Sequence, residues 1–162
     1  MTTARIARIG AALVVALVLI FFARGRQGRE MPGPSLDRRT AVPLAPGPHE
    51  AVLLEMRGML VSVSRLLDGA ARGDTATVLE AARASGMAAA ADPELETMLP
   101  AGWKEMAEAT HGGFDGLAAA VRAARGPAAA RDSALAHAAR VTASCSGCHE
   151  TYRLSLAPAA AR

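Results

Sequence analysis

From residue 49 onward the apolar positions recur at helical intervals. Leu53, Met56, Leu60, Val63, Leu67 and Ala70 follow alternating steps of three and four, which puts them on one face of an α-helix; Val52, Met59 and Leu66 widen that face. Gly73-Asp74 ends the segment. Asp74 has the side chain of an N-cap for a short second helix through Val78, Leu79, Ala82 and Ala89, stopped by Asp92-Pro93. After Leu99-Pro100 a third helix carries Trp103, Met106, Ala107, Thr110, Phe114, Leu117 and Val121. Gly112-Gly113 inside it weakens it by about 1 kcal/mol per residue relative to Ala and marks a candidate kink. Gly126-Pro127 precedes a fourth helix, whose seam is Leu135, Ala138, Val141, Cys145, Cys148 and Tyr152. Four amphipathic helices with short connections predict an all-α domain, an antiparallel four-helix bundle over residues 49–156. Residues 157–162 remain as a frayed tail.

Upstream the pattern changes. Residues 9–23, IGAALVVALVLIFFA, carry no charge; Arg5 and Arg8 precede them, and Arg24, Arg26 and Arg29 follow. The stretch is shorter than the roughly 17–25 residues of a spanning helix, but flanking arginines can snorkel and extend it. It predicts an uncleaved signal anchor, a single transmembrane helix over residues 1–25. The alternative is a cleaved secretory signal with a weak site at Ala23-Arg24-Gly25. Positive charge is heavier after the segment than before it, which opposes the positive-inside tendency for a cytoplasmic N-terminus. Residues 26–48 read as a linker. Five prolines fall between positions 32 and 48, a density that favours extended polyproline II, a semi-rigid tether.

Composition sharpens the fold class. Of 162 residues 39 are Ala, against three Phe, one Trp and one Tyr. Ala is the strongest helix former and a poor strand residue, and a β-sandwich core needs larger side chains. Such small residues leave a thin core, which a large apolar cofactor would fill. The net charge of +3 belongs to the N-terminal segment: residues 1–48 hold seven Arg against Glu30 and Asp37, and the remainder carries a net −2. The domain therefore has no basic footprint for nucleic acid. It has no Gly-rich phosphate loop and no nucleophile–base set, so no enzyme activity is expected. Asp92, Glu94 and Glu96 read as a solvated acidic stretch.

The candidate chemistry lies in Cys145-Ser146-Gly147-Cys148-His149, which holds both cysteines of the chain. C-x-x-C-H is the attachment signature of c-type haem. Thiols three residues apart lie on one side of a helical turn, so both can form thioethers to the two vinyl groups, and the adjacent imidazole becomes the proximal iron ligand. Zinc would need a further set of ligands, and a thioredoxin-like centre a βαβ context; neither is present. An exported domain fits haem attachment, which takes place outside the cytoplasm.

With these residues in view, the chain from about His49 resembles the class II cytochromes c, the cytochrome c′ group. That family carries its haem motif near the C-terminus, on the last helix of a four-helix bundle. It follows the motif with an aromatic-Arg pair, here Tyr152-Arg153. Leu99-Pro100, Trp103 and His111-Gly112-Gly113-Phe114-Asp115-Gly116-Leu117 are similar to its third-helix pattern. The resemblance covers about two-thirds of the chain; the anchor, the Pro-rich tether and the short second helix depart from it. It implies that the distal haem face meets the first helix, where a Met gives six-coordinate iron suited to electron transfer and an apolar residue leaves an open site for small gases. The candidates are Met56, favoured by its place on the seam, and Met59. The family often has an Arg four residues before that position, to meet a propionate; Val52 and Glu55 stand there instead, with Arg57 or Arg65 as substitutes. Relatives often dimerise through their first two helices, so a homodimer is a possible state.

Of the other histidines, His49 starts the first helix, and His111 on the third reads as a packed or solvent-edge side chain, with iron ligation as the lesser alternative. His137 precedes His149 by twelve residues, about 18 Å along a helix and too far to share one iron. Tyr152 and Trp103 are expected to pack near the haem. The expectation is a single-pass protein of the cytoplasmic (inner) membrane, with one covalent haem c on a periplasmic domain. It would carry single electrons between membrane or periplasmic redox partners. A five-coordinate NO- or CO-binding protein is the alternative, and a haem-free helical module with a Cys145/Cys148 disulfide the second. A soluble periplasmic form would follow from signal cleavage.

Overall fold

A computed structural model of the chain describes residues 36–90 and 93–158, together with Val15, Ala16 and Val18. It divides into two units, Met1–Arg38 and Arg39–Arg162. In the first, Val15, Ala16 and Val18 are helical; the rest of the expected anchor, and the linker up to residue 35, lie outside the described residues. Among those described, no helix is long and apolar enough to cross a membrane.

The second unit is mostly helical. A strand β1 (Thr40–Leu44) leads into α1 (Pro46–Arg72), α2 (Thr75–Arg83), a short α3 (Pro93–Met98), α4 (Ala101–Ala123), α5 (Pro127–Thr151) and a strand β2 (Tyr152–Leu156). The two strands pair in parallel, Thr40 beside Tyr152 and Leu44 beside Leu156. Residues 40–48 are therefore not tether. Val42 and Leu44 alternate inward at strand spacing and are 1% and 2% exposed. Pro43 faces outward between them, the position at which an edge strand tolerates a missing N–H. Pro46 opens α1 at its first turn, where that N–H has no helical partner anyway.

Gly73 closes α1 in the left-handed region (φ +70°). Its N–H donates to Ala70 O, and that of Asp74 to Gly69 O at 2.8 Å, which satisfies carbonyls at the helix end. Asp74 then caps α2 as expected, accepting from Thr77 N at 3.1 Å and from the Thr77 hydroxyl at 2.6 Å. The second helix stops at Arg83 rather than near Ala89. Tight turns follow, anchored by the Met87 N–H donating to Asp115 Oδ2 at 3.0 Å. A Cβ at Gly86 would collide with that same carboxylate. The fourth expected helix also ends earlier, since Tyr152 already belongs to β2. Helix α4 continues through Gly112-Gly113, the candidate kink. A Cβ at Gly113 would stand 3.0 Å from Val141 Cγ2, so the glycine lets α4 and α5 come close.

Helix α1 packs on α2 and α5, and α4 on α2 and α5. Two apolar clusters result. One is built from small residues, Ala70, Ala81, Ala82, Ala130, Ala134 and Ala138, around Leu66 and Leu117. The other gathers Val42, Leu44, Val52, Leu95 and Trp103, with Met56, Cys148 and Tyr152 packed against it. The buried positions correct the seams read from spacing. On α1 they are Val52, Ser62, Leu66, Gly69 and Ala70, whereas Leu60 is 69% exposed and Leu67 43%. On α5 the buried stripe is Ala130, Ala134, Ala138 and Val141, and Leu135 faces out.

Candidate functional site

A cleft opens beside the second cluster. Leu53, Met56, Met59, Leu60 and Val63 form its α1 wall; Trp103, Met106 and Thr110 stand on α4; Cys145, Cys148 and His149 stand on the last turns of α5. Its volume is about 460 Å3, within the roughly 300–1,000 Å3 of sites that hold cofactors and other small molecules. A helix forms here because Ala dominates the sequence leading into the motif. The i, i+3 spacing places both thiols along the cleft.

Cys145 and Cys148 are unbridged and half-buried. Burial pushes both thiols up from their ordinary value, and Cys145 adds to the rise at Cys148. Both are therefore protonated at neutral pH, unlike the low-pKa thiolates of reactive cysteines. Met56 and Met59 both reach the cleft half-buried, so the pair is brought to one wall. Met56 also borders a smaller recess of about 230 Å3, shared with Trp103, Cys148, His149, Tyr152 and Arg153. The Trp103 and Tyr152 rings lie 5.5 Å apart, tilted by 56°, an edge-inclined contact of the favoured kind. Gly102 makes room for the pair: a Cβ there would stand 2.6 Å from Tyr152 Oη. Of the substitute arginines, Arg57 lines the cleft. Arg65 instead pairs with Glu80 at 3.1 Å.

His111 is 4% exposed and also lines the cleft. Its Nδ1 is 2.9 Å from Ser85 O and its Nε2 is 3.3 Å from Glu55 Oε1. Both nitrogens face oxygens that can only accept, an arrangement that favours the protonated ring. The Glu55 bond, against the opposing effect of burial, raises its ionisation point. Ser85 Oγ donates to Ser62 Oγ at 2.8 Å, which ties the 84–90 turn to α1 as well. Ser85 escaped the sequence reading, and Glu55 entered it only as a residue standing where an arginine was sought. The available signal was Glu55 itself, a carboxylate lying between Val52 and Met59 on the face that turns inward. His49 and His137 are not among the residues around the cleft; burial lowers the His137 ionisation point.

Among the described residues, no three His, Cys, Asp or Glu side chains are grouped to hold a metal ion. A structural zinc site asks for about four such side chains. A haem asks for less, because its equatorial nitrogens come with the group and the protein supplies only the axial ligands and the thiols. The donor set and the apolar walls fit that demand. Compared with protein-family models, curated proteins and solved structures, the chain finds no match.

Proposed function

We propose that this chain is a membrane-tethered c-type cytochrome, its haem c held in an antiparallel four-helix bundle and its role single-electron transfer outside the cytoplasmic membrane. One observation carries the reading: a single apolar cleft gathers both cysteines and the histidine of C-x-x-C-H on α5 and two methionines on the facing wall of α1. A thioether-bound haem supplies a one-electron iron couple in such a site. Cys145 and Cys148 would hold it covalently, His149 would ligate its iron, and Met56, with Met59 as the alternative, would be the second iron ligand. Trp103, Tyr152, Leu53 and Val63 would shield it from water, and Arg153 and Arg57 stand where carboxylates could meet positive charge. The tether raises the concentration of the domain near membrane and periplasmic redox partners.

Optical spectra of the full chain, matured in cells that attach haem, test this. The expected result is covalent haem with a low-spin spectrum in both oxidation states that CO leaves unchanged. Met56→Ala should then create a CO-sensitive, high-spin reduced form with stoichiometric binding, while Met59→Ala should not. CO binding to the unaltered protein would favour the gas-binding reading. Absence of covalent haem would sink both readings and favour the helical module with a Cys145/Cys148 disulfide.

A further inference from the structure

The strand that precedes the first helix has no part in the reading of the site so far, yet it touches the site. Arg39 Nη1 donates to the backbone carbonyl of His149 at 3.2 Å. That carbonyl lies in the last turn of α5, where helical partners run out and where a cation is favoured by the helix dipole. Arg39 also walls the recess that Met56, Cys148, His149 and Arg153 share. Behind it, β1 is fixed on two sides. Its backbone pairs with β2, which continues directly from the haem-motif helix, and Ala157 N donates to Leu44 O at 2.8 Å beyond the ladder. Its side chains Val42 and Leu44 enter the apolar cluster against which Met56 and Cys148 pack.

We propose that Arg39 is a positioning residue of the haem site: anchored by β1, it clamps the turn that carries His149 and sets the reduction potential of the bound haem. This rests on the cytochrome reading above. Two physical effects point the same way. Reduction adds one electron to the iron with no bond made or broken, so a guanidinium beside the axial ligand favours the reduced state. A clamped turn also keeps water from the cofactor, and burial again favours the less charged reduced form. Because Arg39 is exposed, salt should screen the first effect and leave the second.

The test compares the full-length holoprotein with Arg39→Gln and Arg39→Lys by spectroelectrochemical titration at low and high salt. Amide exchange over residues 152–156 is followed in parallel. Arg39→Gln should shift the midpoint potential downward, by less at high salt. Arg39→Lys, which keeps the charge, should recover most of the shift. Exchange over 152–156 should quicken in Arg39→Gln. Val42→Ala is the second variant; it loosens β1 without touching charge and should lower the potential by an amount that salt leaves unchanged. An unchanged potential in both Arg39→Gln and Val42→Ala would overturn the proposal while leaving the cytochrome reading intact, even if stability fell. An unaltered protein without haem would instead remove the cytochrome reading, and the proposal with it.

Discussion

His111 is buried on α4, and both of its ring nitrogens have oxygen partners. Nδ1 meets Ser85 O and Nε2 meets Glu55. The Glu55 bond raises the His111 ionisation point above its ordinary 6.5. A native value above the unfolded one means that the pair stabilises the fold fully below about pH 6.5 and that the contribution is lost as pH rises through the native value. Glu55→Gln should remove most of this dependence. The difference in unfolding free energy should be about 1 kcal/mol near pH 6, the low end for a charged hydrogen bond because Glu55 is partly exposed, and should shrink toward alkaline pH as His111 loses its proton. Urea unfolding of both proteins across that range checks it. At this scale the C-x-x-C-H pattern is legible because five consecutive residues spell it. The Glu55–His111–Ser85 connection is not, because it joins three elements and one acceptor is a backbone carbonyl in a turn. No side-chain pattern announces such an oxygen.

Helix α4 places two adjacent glycines in different surroundings, and the difference is measurable. A Cβ at Gly112 meets nothing within 4 Å, whereas one at Gly113 stands 3.0 Å from Val141 Cγ2. Both positions gain helix propensity on replacement by Ala, about 1 kcal/mol each. Gly112→Ala should therefore raise stability by up to about 1 kcal/mol. At Gly113 the gain is offset by crowding, which in packed interiors typically costs about 1–3 kcal/mol, so Gly113→Ala should be neutral or destabilising. Denaturant midpoints of the two variants decide this. Helix existence was legible from spacing, and so was the Asp74 cap. What spacing did not reveal is which apolar stripe meets the core. Leu53, Met56, Leu60 and Val63 have the periodicity of a seam, but they wall a cleft, while Val52 and Leu66 on the neighbouring stripe are buried. Periodicity records that a face is apolar and is silent on what covers it. β1 was hidden for another reason: five residues with a proline read as linker, and their partner strand lies at the far end of the chain.

The whole domain is built unevenly. One apolar cluster closes on alanines and a few larger residues, and the other borders a cleft of about 460 Å3 whose walls remain partly open. An Ala-rich chain with few aromatics can close the first kind of core with its own side chains, because small residues let helices approach. Trp103 and three methionines line the cleft without filling it. If haem fills it, Leu53, Met56, Leu60 and Val63 complete their burial against the cofactor. Fully burying side chains of this kind is worth about 1.5–3 kcal/mol each. Completing four partial burials then gives roughly 3–6 kcal/mol, an upper range since the unfolded chain is itself partly collapsed. A variant that cannot attach haem, Cys145→Ser with Cys148→Ser, should thus remain helical by circular dichroism, because the alanine cluster does not depend on the cleft. It should bind a hydrophobic dye and melt more than about 10 °C below the holoprotein. The two serines alone remove little apolar surface, so a haem-free wild-type chain should melt close to the double variant. If that wild-type chain instead melted with the holoprotein, the cleft would not be the unfinished part of the core, and the thin composition would need another explanation.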